Sequence, residues 1–185
     1  LLQEVAQYRG VDVTFVDTLD VAAYQQAIRP NTKAICIELL GNPKLDIAPI
    51  REISNVAKEA GCPLVVDHTV TTPFLCSAKD LGADVVWHSA TKWLSGSGSS
   101  IGGVIVDTGL FKWSSITDKP LSDMASFGDL AFLTRLKKCR SNSGCNLPAT
   151  SAFQIQVGSE TLAIRLKQQC QNAMALATFL DQHSS

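Results

Sequence analysis

Hydrophobic and polar positions along this chain fall into short blocks that switch between a period of two and a helical period. Val11-Asp12-Val13-Thr14-Phe15-Val16 alternates and predicts a strand. Before it, Leu1 to Tyr8 reads as a helix. Asp20 to Ile28 predicts a short helix stopped by Pro30, and Lys33 to Glu38 predicts a second strand ahead of a Gly41-Asn42-Pro43 turn. Ile47, Ile50, Ile53, Val56 and Ala57 recur at helical spacing, so Ile47 to Ala60 predicts a helix with Gly61 as its stop. Leu64 to Asp67 is the third predicted strand, Leu75 to Leu81 a short helix, Asp84 to His88 the fourth strand and Gly103 to Asp107 the fifth. Past Asp107 the pattern becomes irregular until a long helix from about Ser159 to Gln182. That helix carries an apolar stripe of Leu162, Leu166, Ala173, Leu176 and Leu180, expected to be exposed in this stretch of chain.

Strands separated by helices call for crossover connections. Leu64-Val65-Val66 and Val85-Val86-Trp87 are continuously apolar, as in strands covered on both faces. The fold class is therefore α/β, a mostly parallel sheet with helices on both faces.

Length and composition narrow the classes. A chain of 185 residues holds one core, at roughly 100–200 residues per domain. Hydrophobic content of 45% and a mean hydropathy of +0.12 indicate an ordered protein. The net charge of −1 comes from scattered residues, which gives no footprint for nucleic acid or a membrane surface. No apolar run reaches the ~20 residues of a membrane span, and no signal peptide is visible. The expected location is cytoplasmic. Six cysteines occur without a Cys-x-x-Cys pair, so free thiols are expected, with Cys36 and Cys62 packed as small hydrophobes. Cys139 and Cys145 lie close in sequence but have no matching His or Cys cluster for a metal.

The chemistry concentrates at two strand ends. Asp67 closes one apolar run, and Ser89-Ala90-Thr91-Lys92 closes another, with Lys92 standing 25 residues after Asp67. Open α/β sheets bind ligands at the carboxyl ends of their strands. An amine for a Schiff base, a carboxylate for a pyridinium nitrogen and hydroxyls for a phosphate are what pyridoxal phosphate requires. Each residue has a plainer reading: Lys92 as a surface lysine, Asp67 as a helix cap, Ser89 and Thr91 as turn hydroxyls. Their joint spacing favours the cofactor.

Val65-Val66-Asp67-His68-Thr69, Gly82 to Lys92, Ile101 to Asp107 and Glu38-Leu39-Leu40-Gly41-Asn42-Pro43 together resemble the cysteine/methionine-metabolism family of pyridoxal-phosphate enzymes, the sulfhydrylases on O-acetylhomoserine above all. The similarity runs from about Val11 to Leu180. It implies the large cofactor domain of fold type I enzymes, incomplete here, over residues 1–145, with residues 146–185 as a linker and the first long helix of a C-terminal domain. Lys92 would carry the cofactor and move protons. Asp67 would pair with the pyridinium, Ser89 and Thr91 would bind phosphate, and Asn42 would meet the phenolic oxygen. Thr69 would support the cofactor, with Glu38 and His68 near the substrate. A small amino-acid substrate and a homotetramer follow from the same resemblance. So does a piece that is inactive alone, since a ring-stacking tyrosine and a phosphate loop would precede residue 1 and a substrate-binding arginine, which is not Arg165, would follow residue 185.

Departures from the family surround the site. His68 stands for an Asn, Val70 for an aromatic residue, and Ser95-Gly96-Ser97-Gly98 for Gly-Gly-His-Gly; Pro148-Ala149 and a shortened stretch between Trp113 and Phe127 also differ. A histidine beside Asp67 is weighed both as a proton shuttle and as a neutral packed side chain. His88 is expected to be structural. The resemblance implies replacement of acetate on O-acetylhomoserine by sulfide or a thiol. Alternatives are an amino nucleophile, as in fungal loline-type alkaloid biosynthesis, a γ-lyase, or a silent fragment. A dinucleotide reductase finds little support, because Gly96 to Gly102 follows a lysine rather than opening a first βα unit.

Overall fold

The computed structural model describes residue 4 and residues 8–17, 19–118 and 121–183. Most of the expected opening helix lies outside the described residues. The sheet holds β1 (Ile35–Glu38), β2 (Leu64–Asp67), β3 (Val85–Ser89) and β4 (Gly103–Asp107), in that spatial order. β1, β2 and β3 are parallel, and β4 runs antiparallel to β3. The mixed sheet follows from the connections. Helix α2 (Ile50–Glu59) carries the chain from β1 back to the start of β2, whereas the loop after β3 reverses directly into β4.

Helix α1 (Val21–Ala27) starts at Asp20, whose carboxylate accepts from the amides of Ala22 and Ala23 at 2.9 and 3.2 Å. In α2 the stripe Ile50, Ile53, Val56 and Ala57 is buried, and it packs over Ile35, Ile37, Leu64, Val66 and Val86. Each of its isoleucine and valine side chains stabilises by about 1.5–3 kcal/mol when buried. Ser54 on the same helix donates to the Gly82 carbonyl at 2.9 Å. Gly82 has φ +99°, and a Cβ there would lie 2.3 Å from the Ser54 hydroxyl, so this close approach needs glycine. On the opposite sheet face Val65 and Val85 meet Phe111, Trp113, Ala131 and Phe132, with Trp113 stacked on Phe132 at 4.3 Å. Both faces of β2 and β3 are thus covered, whereas Val104, Ile105 and Val106 of β4 remain exposed.

Several expectations are corrected. Residues 11–16 form no strand. The half-buried positions there are Val13 and Val16, three apart, while Val11 and Phe15 are exposed; alternation makes a strand only where a neighbour supplies a ladder. Ile47 lies outside α2, is 71% exposed and bridges to Leu40. The short helix comes earlier, as α3 (Thr72–Leu75) with Pro73 in its first turn, and it stops where Cys76 turns extended. Cys36 is exposed, whereas Cys62 is buried. Past Asp107 the chain is more regular than its pattern: 3-10 turns at Trp113–Ser115 and Ser122–Leu130 lead into α4 (Ala131–Ser143) and α5 (Ala149–Glu160). The long helix is α6 (Leu162–Asp181), split from α5 at Thr161. Its apolar stripe is not uniformly exposed. Leu166 is 3% exposed, and α6 packs against α3, while Leu176 and Leu180 are open.

Candidate active site

Parallel register brings the expected chemistry to one end of the sheet. Glu38 pairs with Asp67, and Asp67 with Trp87, so β1, β2 and β3 finish together. The Asp67 carboxylate accepts from the Thr69 amide at 2.8 Å through Oδ1. The Thr69 hydroxyl accepts from the Ser89 amide at 2.9 Å, and the Ser89 carbonyl accepts from the Lys92 amide at 3.1 Å. A continuous set of short bonds therefore ties Asp67, Thr69, Ser89 and the backbone of Lys92. Thr69 acts here as the link between two strand ends. Thr91 is used differently: its hydroxyl accepts from the Gly102 amide at 3.0 Å and contacts the Gly102 carbonyl at 3.3 Å, which fixes the entry to β4.

Asp67, Trp87 and Ser89 line a cavity of about 750 Å³, roofed by Leu133, Leu136, Lys137 and Arg140 of α4. Among the described residues no group bonds the second Asp67 oxygen, and the Trp87 indole N–H is buried without a partner. Two cations on the roof favour an anionic ligand. Nothing in the apolar pattern flagged the roof; its signal was the basic run from Arg135 to Arg140. Lys92 lies in the loop after Ser89 with an exposed side chain, outside the lining of that cavity. Glu38 and Asn42 are also exposed beyond it, joined to each other by a 3.0 Å bond from the Asn42 amide to Glu38 Oε2.

His68 faces away from Asp67, as alternate residues of an extended chain do. Its ring is 2% exposed and meets the Cys76 sulfur at 3.3 Å and the His88 ring at 5.2 Å. It lines a separate cavity of about 340 Å³ with Cys76 and His88. Burial, reinforced by His88, pushes its pKa down from 6.5 to about 4, against an opposing pull from Asp67. Burial also lowers His88, whose Nδ1 contacts the His68 carbonyl at 3.1 Å. Neutral packing describes both rings at pH 7.

An acidic side chain with one oxygen bonded by no described residue and a hydroxyl residue beside it line the cavity at the carboxyl ends of parallel strands, with a lysine three residues further on in the adjoining loop, a set of groups of the kind pyridoxal phosphate requires. The chemistry of the residues present fits that group: a carboxylate such as Asp67 would suit the ring nitrogen, a hydroxyl such as Ser89 the phosphate, and an amine such as Lys92 the aldehyde carbon. The family model described as Cys/Met metabolism PLP-dependent enzyme matches residues 1–185, and the chain belongs to that family. It is 39% identical to an O-acetyl-L-homoserine sulfhydrylase of Leptospira meyeri, with 94% of this chain and 44% of that protein covered. It is 34% identical to the sulfhydrylase-like protein lolC1 of Epichloe uncinata, over 98% of this chain and 40% of the other. The solved structure of O-acetylhomoserine sulfhydrylase from Wolinella succinogenes superposes with a TM-score of 0.91 at 37% identity, covering 99% of this chain and 53% of that one. The chain thus spans under half the length of these curated relatives. Among the described residues no helix is long and apolar enough to cross a membrane, and no cluster suits a metal ion.

Proposed function

We propose that the full-length protein is a pyridoxal-phosphate transferase that replaces the acetate of O-acetyl-L-homoserine with sulfide or a thiol. The observation that carries this reading is the bonded set Asp67, Thr69, Ser89 and Lys92 at one sheet end, in a chain 39% identical to a sulfhydrylase. When bound, the cofactor withdraws electrons from the substrate Cα. Asp67 keeps the ring nitrogen protonated, with Thr69 orienting the carboxylate through its amide. Ser89 and Thr91 would hold the phosphate end, Ser89 by its hydroxyl, which bonds none of the described residues, and Thr91 by shaping the loop. Asn42 meets the phenolic oxygen, and Glu38 holds Asn42. Lys92 Nζ would carry the cofactor and would move protons between the substrate Cα and Cβ.

Residues 1–145 form part of the cofactor domain, and residues 146–185 lead into a second domain. The whole protein is a cytoplasmic homotetramer, and residues 1–185 alone are inactive. A second reading, an amino nucleophile in place of sulfide, draws support from the 34% identity to lolC1. Val70 and Ser97 stand where the family has larger side chains, and a change of one methylene alters discrimination by only ~1–3 kcal/mol. The test supplies O-acetylhomoserine with sulfide, a thiol or a cyclic amino acid and reads products by mass. Homocysteine or a thioether supports the main reading. A carbon–nitrogen product supports the second, and ketobutyrate regardless of acceptor contradicts both in favour of a lyase.

A further inference from the structure

We propose that Arg165, seated against Gly158, is a positioning residue that sets where the Lys92 amine stands. The proposal rests on the reading of Lys92 as the cofactor-bearing lysine. Lys92 belongs to a loop held at two ends. At the strand end its amide donates to the Ser89 carbonyl at 3.1 Å. At the other end its carbonyl accepts from the Gly96 amide at 2.9 Å, and the Ser95 amide donates to the Ala90 carbonyl at 3.0 Å. Ser95 is 3% exposed, and its hydroxyl donates to the Thr91 carbonyl at 2.9 Å.

This second end is fixed by the α5–α6 junction. Arg165 Nη2 donates to the Trp93 carbonyl at 3.0 Å and to the Gly158 carbonyl at 2.9 Å, while Nε donates to the Thr161 hydroxyl at 3.0 Å. One guanidinium thus bonds the residue after Lys92, the last turn of α5 and the break between helices. The seat is tight. A Cβ on Gly158 would lie 1.9 Å from the Ser95 carbonyl oxygen, and one on Gly96 would lie 2.4 Å from the Arg165 guanidinium carbon. Helix α5 can approach the lysine loop this closely only because position 158 is glycine. Ser100 bonds Gln154 on the same helix, so α5 holds the loop along its length. A planar, permanently charged fork reaching several carbonyls is a task that lysine does not reproduce.

The test uses the full-length protein with Arg165→Ala, Arg165→Lys and a control, Leu166→Ala, which removes a buried neighbour on α6 that makes no bond to the loop. Two readouts are taken: amide hydrogen exchange of residues 90–100 in cofactor-free protein, and the pH titration of the bound cofactor's visible absorbance. Loss of charge-assisted bonds to carbonyls predicts about ten-fold or faster exchange of the Ser95 and Gly96 amides in Arg165→Ala, with Leu64 to Asp67 unchanged. The absorbance midpoint moves in Arg165→Ala, moves less in Arg165→Lys, and stays with wild type in Leu166→Ala. If Arg165→Ala matches Leu166→Ala in both readouts while wild type carries cofactor on Lys92, this inference alone is overturned. A wild type without cofactor on Lys92 overturns the proposed function and the inference with it.

Discussion

Replacing His68 by glutamine removes a buried imidazole whose titration is displaced well below its ordinary range. The ring is 2% exposed, and burial with the neighbouring His88 holds its pKa at about 4 instead of 6.5. An imidazole of depressed pKa stays neutral in the folded chain while the unfolded chain takes up a proton. Its contribution is fully present above pH 6.5, is lost as pH falls from 6.5 toward 4, and changes no further below that. At about 1.4 kcal/mol per pH unit, that window is worth about 3 kcal/mol. Glutamine keeps a polar end near Cys76 but does not titrate. The assay is urea unfolding of wild-type and His68→Gln full-length protein at one fixed protein concentration, from pH 7 to pH 4, so that subunit association affects both alike. Wild type should lose about 3 kcal/mol more than the variant across that range. Burial lowers His88 as well, so a residual slope remains in the variant. Parallel curves for the two proteins would show that the His68 ring is hydrated or already protonated, and the neutral-packing assignment would fall.

Two further outcomes follow from the same geometry. Asp67→Ala should reduce kcat and kcat/KM together by about 100-fold or more, the scale of removing one preorganised electrostatic partner; an unchanged kcat would leave the carboxylate as a turn cap for Thr69. Ile53 is fully buried between α2 and the sheet, so Ile53→Ala should cost about 2–5 kcal/mol in urea unfolding, and a loss under about 1 kcal/mol would contradict the core described here.

Where a segment's pattern is set by the face it buries, the chain could be read directly. The stripe Ile50, Ile53, Val56 and Ala57 and the apolar blocks ending at Asp67 and Ser89 are buried as expected, and register then carries Asp67, Thr69 and Ser89 to one place. The direction of β4 was not written in its own residues, since an apolar run such as Val104-Ile105-Val106 suits a parallel or an antiparallel strand alike; the reversing loop decides it. Helix α5 was missed because its apolar residues, Ala152, Phe153, Ile155 and Val157, lie all round the axis, and its tightest contact is made by a glycine. Helix α4 was missed because it buries little, Ala131 fully and Phe132 in part, so its residues carry no sustained apolar stripe at helical spacing. Val11 to Val16 misled for the opposite reason, an alternation with no ladder beside it. The part of Arg165 could not be seen in sequence at all, because 72 positions separate it from the Trp93 carbonyl it bonds.

Borohydride reduction of the full-length protein as purified, followed by peptide mass mapping, tests the assignment on which the site stands. A pyridoxyl group is expected on the peptide containing Lys92 and on no other lysine. A label on a different lysine, or none on a protein that shows cofactor absorbance, would contradict it.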